Sequence, residues 1–96
     1  MTIKKIKIKI KNVESFLKEK FLVKKIGVFG SYVRGEQNKK SDVDILVEFY
    51  EAPSLLQFIE MENYLSKLLK IKVDLVMKNS LKPYIGKQIM NEVTYV

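Results

Sequence analysis

Apolar residues recur along this chain with two different periods, and the alternation between them predicts most of its elements. Val13, Phe16, Leu17 and Phe21 fall at helical spacing, and Asn12 as N-cap with Glu14 in the first turn predicts a helix of about ten residues. Before it, Ile3, Ile6, Ile8 and Ile10 alternate with lysines as a strand would, yet Ile3, Ile6, Ile10, Val13 and Leu17 also form a helical stripe. Periodicity leaves both readings of residues 3 to 11 open.

Lys25-Ile26-Gly27-Val28-Phe29 reads as a short buried strand that stops at Gly30-Ser31, with Ser31 capping a short helix ending near Gly35. After a polar loop from Glu36 to Ser41, residues Asp42 to Phe49 follow period two. Val43, Ile45, Val47 and Phe49 point one way, and Asp42, Asp44, Leu46 and Glu48 the other. Pro53 and Ser54 open a long helix with Leu55, Phe58, Ile59, Glu62, Leu65, Leu68 and Leu69 on one face. Lys72 to Met77 is a third strand, and a last helix begins at Asn79 to Ser80 and carries Ile85, Ile89 and Val93. This order predicts an α/β (α+β) class, a three-stranded sheet layered with helices, and leaves the strand directions open.

Composition narrows the chemistry. With 96 residues the chain is expected to form one domain, residues 1 to 96, and 47% hydrophobic against 30% charged residues suits a folded core. A domain this small buries only about 60 to 65% of its unfolded surface, so self-association or a dedicated partner is expected. Cys, His and Trp are absent, which excludes disulfide scaffolds, Cys/His zinc sites, Ser-His triads and cysteine nucleophiles. No apolar run reaches the length of a membrane span or signal-peptide core, and the expected location is the cytoplasm.

Charge is uneven. Residues 1 to 40 hold eleven Lys and one Arg against three Glu, a balance of +9, whereas residues 41 to 96 hold six Lys against eight acids, a balance of −2. The basic half could face a polyanion. Seventeen of the eighteen basic residues are nevertheless lysine, and arginine, which reads bases and phosphates by bidentate contact, occurs once, so nucleic acid is the less favoured partner.

Two carboxylates at i and i+2 on a strand, Asp42 and Asp44, share one face with Cα atoms about 6.5 to 7 Å apart. Their oxygens can converge on shared cations, and a pair of divalent ions is the usual device for in-line displacement at phosphorus; hard carboxylate oxygens select Mg²⁺. Asp74, in Val73-Asp74-Leu75-Val76, repeats the pattern of Val43-Asp44-Ile45-Leu46, so neighbouring strands would bring three carboxylates into one site. An isolated strand aspartate is more often simply solvated; three on matching faces point to a site. Gly30-Ser31 supplies the complement, since a glycine lets phosphate approach the backbone and the following amides and hydroxyl favour its charge. Taken alone, Gly-Ser is an ordinary strand-to-helix turn.

Gly30-Ser31, ten residues, then Asp42-Val43-Asp44 resembles the signature of the DNA polymerase β-type nucleotidyltransferase superfamily. More narrowly, Gly30-Ser31-Tyr32-Val33-Arg34-Gly35-Glu36, Ser41 to Phe49, Val73 to Val76 and Leu81-Lys82-Pro83-Tyr84-Ile85 are similar to the minimal nucleotidyltransferases, over nearly the whole chain and least before residue 20. The resemblance implies a polymerase β-like core with a mixed sheet and a catalytic and metal-binding set of Asp42, Asp44 and Asp74 for two Mg²⁺ ions. Gly30 and Ser31 would hold the triphosphate of ATP. It further implies an antitoxin of a type VII pair, which transfers AMP from ATP to a tyrosine of a cognate HEPN-domain toxin. Transfer to a small molecule or RNA, or an antitoxin acting by binding alone, are the alternatives.

Among neighbouring residues, Arg34 could reach a phosphate or pair with Glu36 or Asp42, with equal weight. Ser41 reads as a plain loop polar residue rather than a cap, Lys39 and Lys40 as a solvated pair that could also attract ATP or an acidic acceptor. Tyr84 is expected to pack, and the leucine-rich face of residues 55 to 69 to be chiefly core, with any excess available to a partner or a homo-oligomer.

Overall fold

The computed structural model describes residues 1–96. The opening segment is a helix, α1 (Ile3–Asn12), with Thr2 as N-cap accepting from the Lys5 amide at 3.3 Å and Lys9 and Lys11 in the last turn, where cations complement the helix dipole. Burial decides between the two periodicities. Ile6 and Ile10, four apart, are wholly buried while Ile8, which a strand would place on their face, is 52% exposed. α2 (Glu14–Phe21) follows directly, so Asn12 is the last residue of α1 and Val13, not Asn12, is the N-cap of α2. A left-handed Leu22 ends it.

β1 (Val23–Phe29) leads through Gly30 into the four-residue α3 (Ser31–Arg34). Here Gly30 is the N-cap and the Ser31 side chain makes no capping bond, which corrects the expected role of Ser31. β2 (Val43–Phe49) buries Val43, Ile45 and Val47 on one face and Leu46 on the other. α4 (Leu55–Leu69) starts with a full capping box between Ser54 and Gln57. Its core residues are Met61, Leu65 and Leu69, with Phe58 and Leu68 partly buried. Leu55 and Ile59, expected in the core, are exposed, Leu55 in the first turn and Ile59 on the flank of the face that carries Met61, Leu65 and Leu69. β3 (Val73–Met77) precedes a 3₁₀ turn at Lys78–Ser80, and α5 (Pro83–Glu92) begins at its proline, later than Asn79. β4 (Thr94–Tyr95) closes the chain.

The sheet has four strands in the order β3-β2-β1-β4, one more than the sequence pattern predicts; two residues are too few to show a period of two. β1 runs antiparallel to β2 and β4, and β2 parallel to β3 with α4 as the crossover, so the sheet is mixed. One cluster of sixteen residues from α1, α2, β1, α3, β2, α4 and β3 forms the core. α5 contributes no buried residue, and Tyr84, expected to pack, is 76% exposed. No helix is long and apolar enough to cross a membrane.

Candidate active site

Register builds the site. Asp44 on the central strand β2 lies beside Asp74 of β3 on one side and Phe29 of β1 on the other, with Asp42 just before the strand. A parallel pair in register puts both side chains on the same face, so Asp44 and Asp74 are lateral neighbours. Gly30, one step beyond Phe29, closes against the same carboxylate: a β-carbon at position 30 would collide with Asp44 Oδ2, and φ is +83°. Only glycine meets both demands. The Gly-Ser turn and the Asp-x-Asp strand are thus in contact, which the ten-residue spacing alone does not require.

Electrostatics follows from this crowding. Burial, then the Asp74 and Asp42 carboxylates, push the Asp44 carboxyl above its ordinary value; Arg34 opposes them and Glu92 adds to them. Asp74 is exposed, and Asp42 lies 4.0 Å from Lys72 Nζ in an exposed pair of small energetic weight. No three acidic side chains converge closely enough to cage an ion unaided. The donor set fits Mg²⁺ all the same, because that ion is commonly held by one or two carboxylates and completes its octahedron with waters and substrate phosphates. The collision-close seat of Gly30 on Asp44 leaves bare backbone beside the carboxylates, which suits a metal-bound phosphate.

Arg34 pairs with Glu36, Nε to Oε1 at 3.2 Å, and with Glu92, Nη1 to Oε1 at 2.8 Å, rather than with Asp42. The same Glu92 oxygen accepts the Gly30 amide. Ser41 Oγ accepts from the Asn38 amide at 2.9 Å, and Asn38 Oδ1 from the Lys40 amide at 2.8 Å, so Ser41 shapes the loop leading to Asp42. Lys39 and Lys40 are exposed.

Glu92 is the functional-site contact that the sequence pattern does not single out. It is the sole acid after Asp74 and stands at the C-terminus of α5, where a negative charge opposes the helix dipole. That unfavourable placement is the signal that a cationic or N–H partner awaits it elsewhere in the fold.

The model of the family described as nucleotidyltransferase domain matches residues 10–96. The protein adenylyltransferase MntA of Thermococcus cleftensis is 64% identical over 80 residues, which span 83% of this chain and 81% of that protein. A solved structure assigned as a minimal nucleotidyltransferase superposes with a TM-score of 0.83 at 31% identity, covering 98% of this chain and 95% of the other. A toxin–antitoxin complex solved with AMP-PNP matches with a TM-score of 0.75 at 26% identity, over 88% of this chain and 69% of that one. With a strand register that seats Asp44 against both Asp74 and Gly30, and likeness along nearly its whole length, this chain belongs to the nucleotidyltransferase domain family, as an enzyme of the minimal nucleotidyltransferase kind.

Proposed function

We propose that this protein is an antitoxin that transfers AMP from ATP, with Mg²⁺, to a tyrosine of a cognate HEPN-domain toxin and so neutralises it. The observation that carries the reading is the contact of three motifs: Asp44 in register with Asp74 and pressed against Gly30. The adenylyltransferase name of the Thermococcus relative and the AMP-PNP of the toxin–antitoxin complex support the choice of nucleotide and acceptor class.

In this reading Asp42, Asp44 and Asp74 bind the two metal ions, and Gly30, Ser31 and Arg34 take the triphosphate. When bound, Mg²⁺ would neutralise phosphate charge and activate the incoming oxygen. Asp74 lies on the exposed flank of the row and would accept the proton of the tyrosine hydroxyl. The tyrosine oxygen forms a bond to the α-phosphorus, the bond to the β-phosphate bridge breaks, and pyrophosphate leaves. The carboxylate row is open, so the partner has to bring its hydroxyl to within about 3 to 3.5 Å of the α-phosphorus and exclude water. The setting is the cytoplasm, which holds ATP and Mg²⁺ together.

Incubation with ATP, Mg²⁺ and the toxin encoded beside it tests this. Pyrophosphate should appear slowly from the protein alone and quickly with the toxin, and mass spectrometry should find AMP on a toxin tyrosine. An unmodified toxin would overturn the protein-acceptor reading and leave the fold untouched.

A further inference from the structure

The C-terminal segment reaches the phosphate turn through one side chain. β4 pairs with β1 only at Gly27/Tyr95 and Val28/Thr94; continued by two residues, that register would set Gly30 opposite Glu92. The ladder stops short because Glu92 ends α5, and its carboxylate takes the Gly30 amide in place of the next main-chain carbonyl. The same oxygen accepts from Arg34 Nη1 at 2.8 Å, and Arg34 is steadied from the other side by Glu36. Gly27 makes the approach possible: a β-carbon there would sit 2.7 Å from Val93 Cγ2 and 3.0 Å from the Thr94 carbonyl, so only a bare backbone lets β4 lie this close.

We infer that Glu92 is a positioning residue for nucleotide binding: it clamps the Gly30-Ser31 turn and Arg34 in the geometry that receives phosphate, tying the turn to the α5–β4 segment. This rests on the assignment of Gly30, Ser31 and Arg34 to the triphosphate. The charge of Glu92 suits the role, since a carboxylate accepting from an amide and a guanidinium makes charge-assisted bonds that a neutral residue makes less strongly. Because α5 has no fully buried residue, the clamp, together with the β4 pairing, fixes the end of that helix over the site.

The test compares Glu92→Ala and Glu92→Gln with wild type, each first checked for an unchanged fold by circular dichroism. Calorimetry with Mg²⁺ and a non-hydrolysable ATP analogue should show binding about tenfold weaker in Glu92→Ala, the scale of one charge-assisted hydrogen bond, with most of it restored in Glu92→Gln, which keeps an acceptor. In transfer assays the loss should fall on KM for ATP, with kcat changing less than about threefold. In nucleotide-free protein, the Gly30 amide resonance should move upfield and exchange faster in Glu92→Ala. Binding as tight as or tighter than wild type in Glu92→Ala would overturn the inference, because Glu92 would then merely compete with phosphate; so would an unmoved Gly30 amide. A wild type that binds no nucleotide would sink the proposed function instead, and the Gly30 amide would still decide whether the clamp exists.

Discussion

The two edges of the sheet are finished by different means. At β3, the outward amides of Val73 and Leu75 are taken by side chains of α4, Ser66 Oγ at 3.0 Å and Glu62 Oε2 at 2.9 Å, and the same helix buries Met61, Leu65 and Leu69 underneath. This edge is sealed and heavily packed, which removes a template for strand addition. At β4, a two-residue strand and a helix with no buried residue hold on through a few main-chain bonds and Glu92. Stability is concentrated at one edge while the contacts that shape the Gly30-Ser31 turn come from the other, the one best able to yield when a substrate or partner arrives.

The largest effect is expected where the edges meet, on the central strand. Asp44→Asn should lower transfer by at least about a hundredfold, since in its proposed role as a metal ligand Asp44 supports several kcal/mol of transition-state charge. The same change should stabilise the metal-free fold at neutral pH. Folding raises the Asp44 pKa above its ordinary value of 3.8, so its stabilising contribution is full below that value and is lost as pH rises through the raised one. Melting curves with chelator should therefore converge for wild type and variant in acid and separate toward neutrality, the variant melting higher. A variant that melts lower there would remove the crowding.

Next in size is the sealed edge. Leu65→Ala, at a wholly buried position, should lose about 2 to 5 kcal/mol in denaturant unfolding. Glu62→Ala should lose about 1 to 3 kcal/mol by orphaning the Leu75 amide, with affinity for Mg²⁺ and nucleotide unchanged. Gly27→Ala at the other edge should be similar in stability, about 1 to 3 kcal/mol, but should weaken nucleotide binding as well, because β4 is pushed away and takes Glu92 with it. Equal nucleotide affinity in the Glu62 and Gly27 variants would erase the functional distinction between the edges. Smallest is the exposed Lys20–Glu60 pair: Lys20→Ala should shift stability by less than about 1 kcal/mol. Hydrogen exchange should order the edges directly, with the Val73 and Leu75 amides protected longer than those of Thr94 and Tyr95.

Much of the site was legible because its signals are local. The Gly30-Ser31 turn and the period-two runs around Asp44 and Asp74 are set by the φ demand of a glycine and by side-chain alternation, each visible within a few residues. The mismatches lie where local signals tie. Ile6 and Ile10 sit on both periods, and their burial while Ile8 stands exposed settled the segment as helix; on α4, Leu55 and Ile59 fit the stripe, but they lie off the face that carries the buried Met61, Leu65 and Leu69.

By itself, then, the sequence determined the turn and the three strands around the glycine and the three aspartates, and the helix between the two parallel strands. Only the tertiary structure decided that Asp44 and Asp74 stand side by side, that Ser66 and Glu62 close one edge, and that Glu92, 62 residues from Gly30, clamps the turn at the other. The reason is physical: hydrogen bonds and charge pairs between distant segments exist only after the sheet has fixed its order and register, and no residue period encodes them.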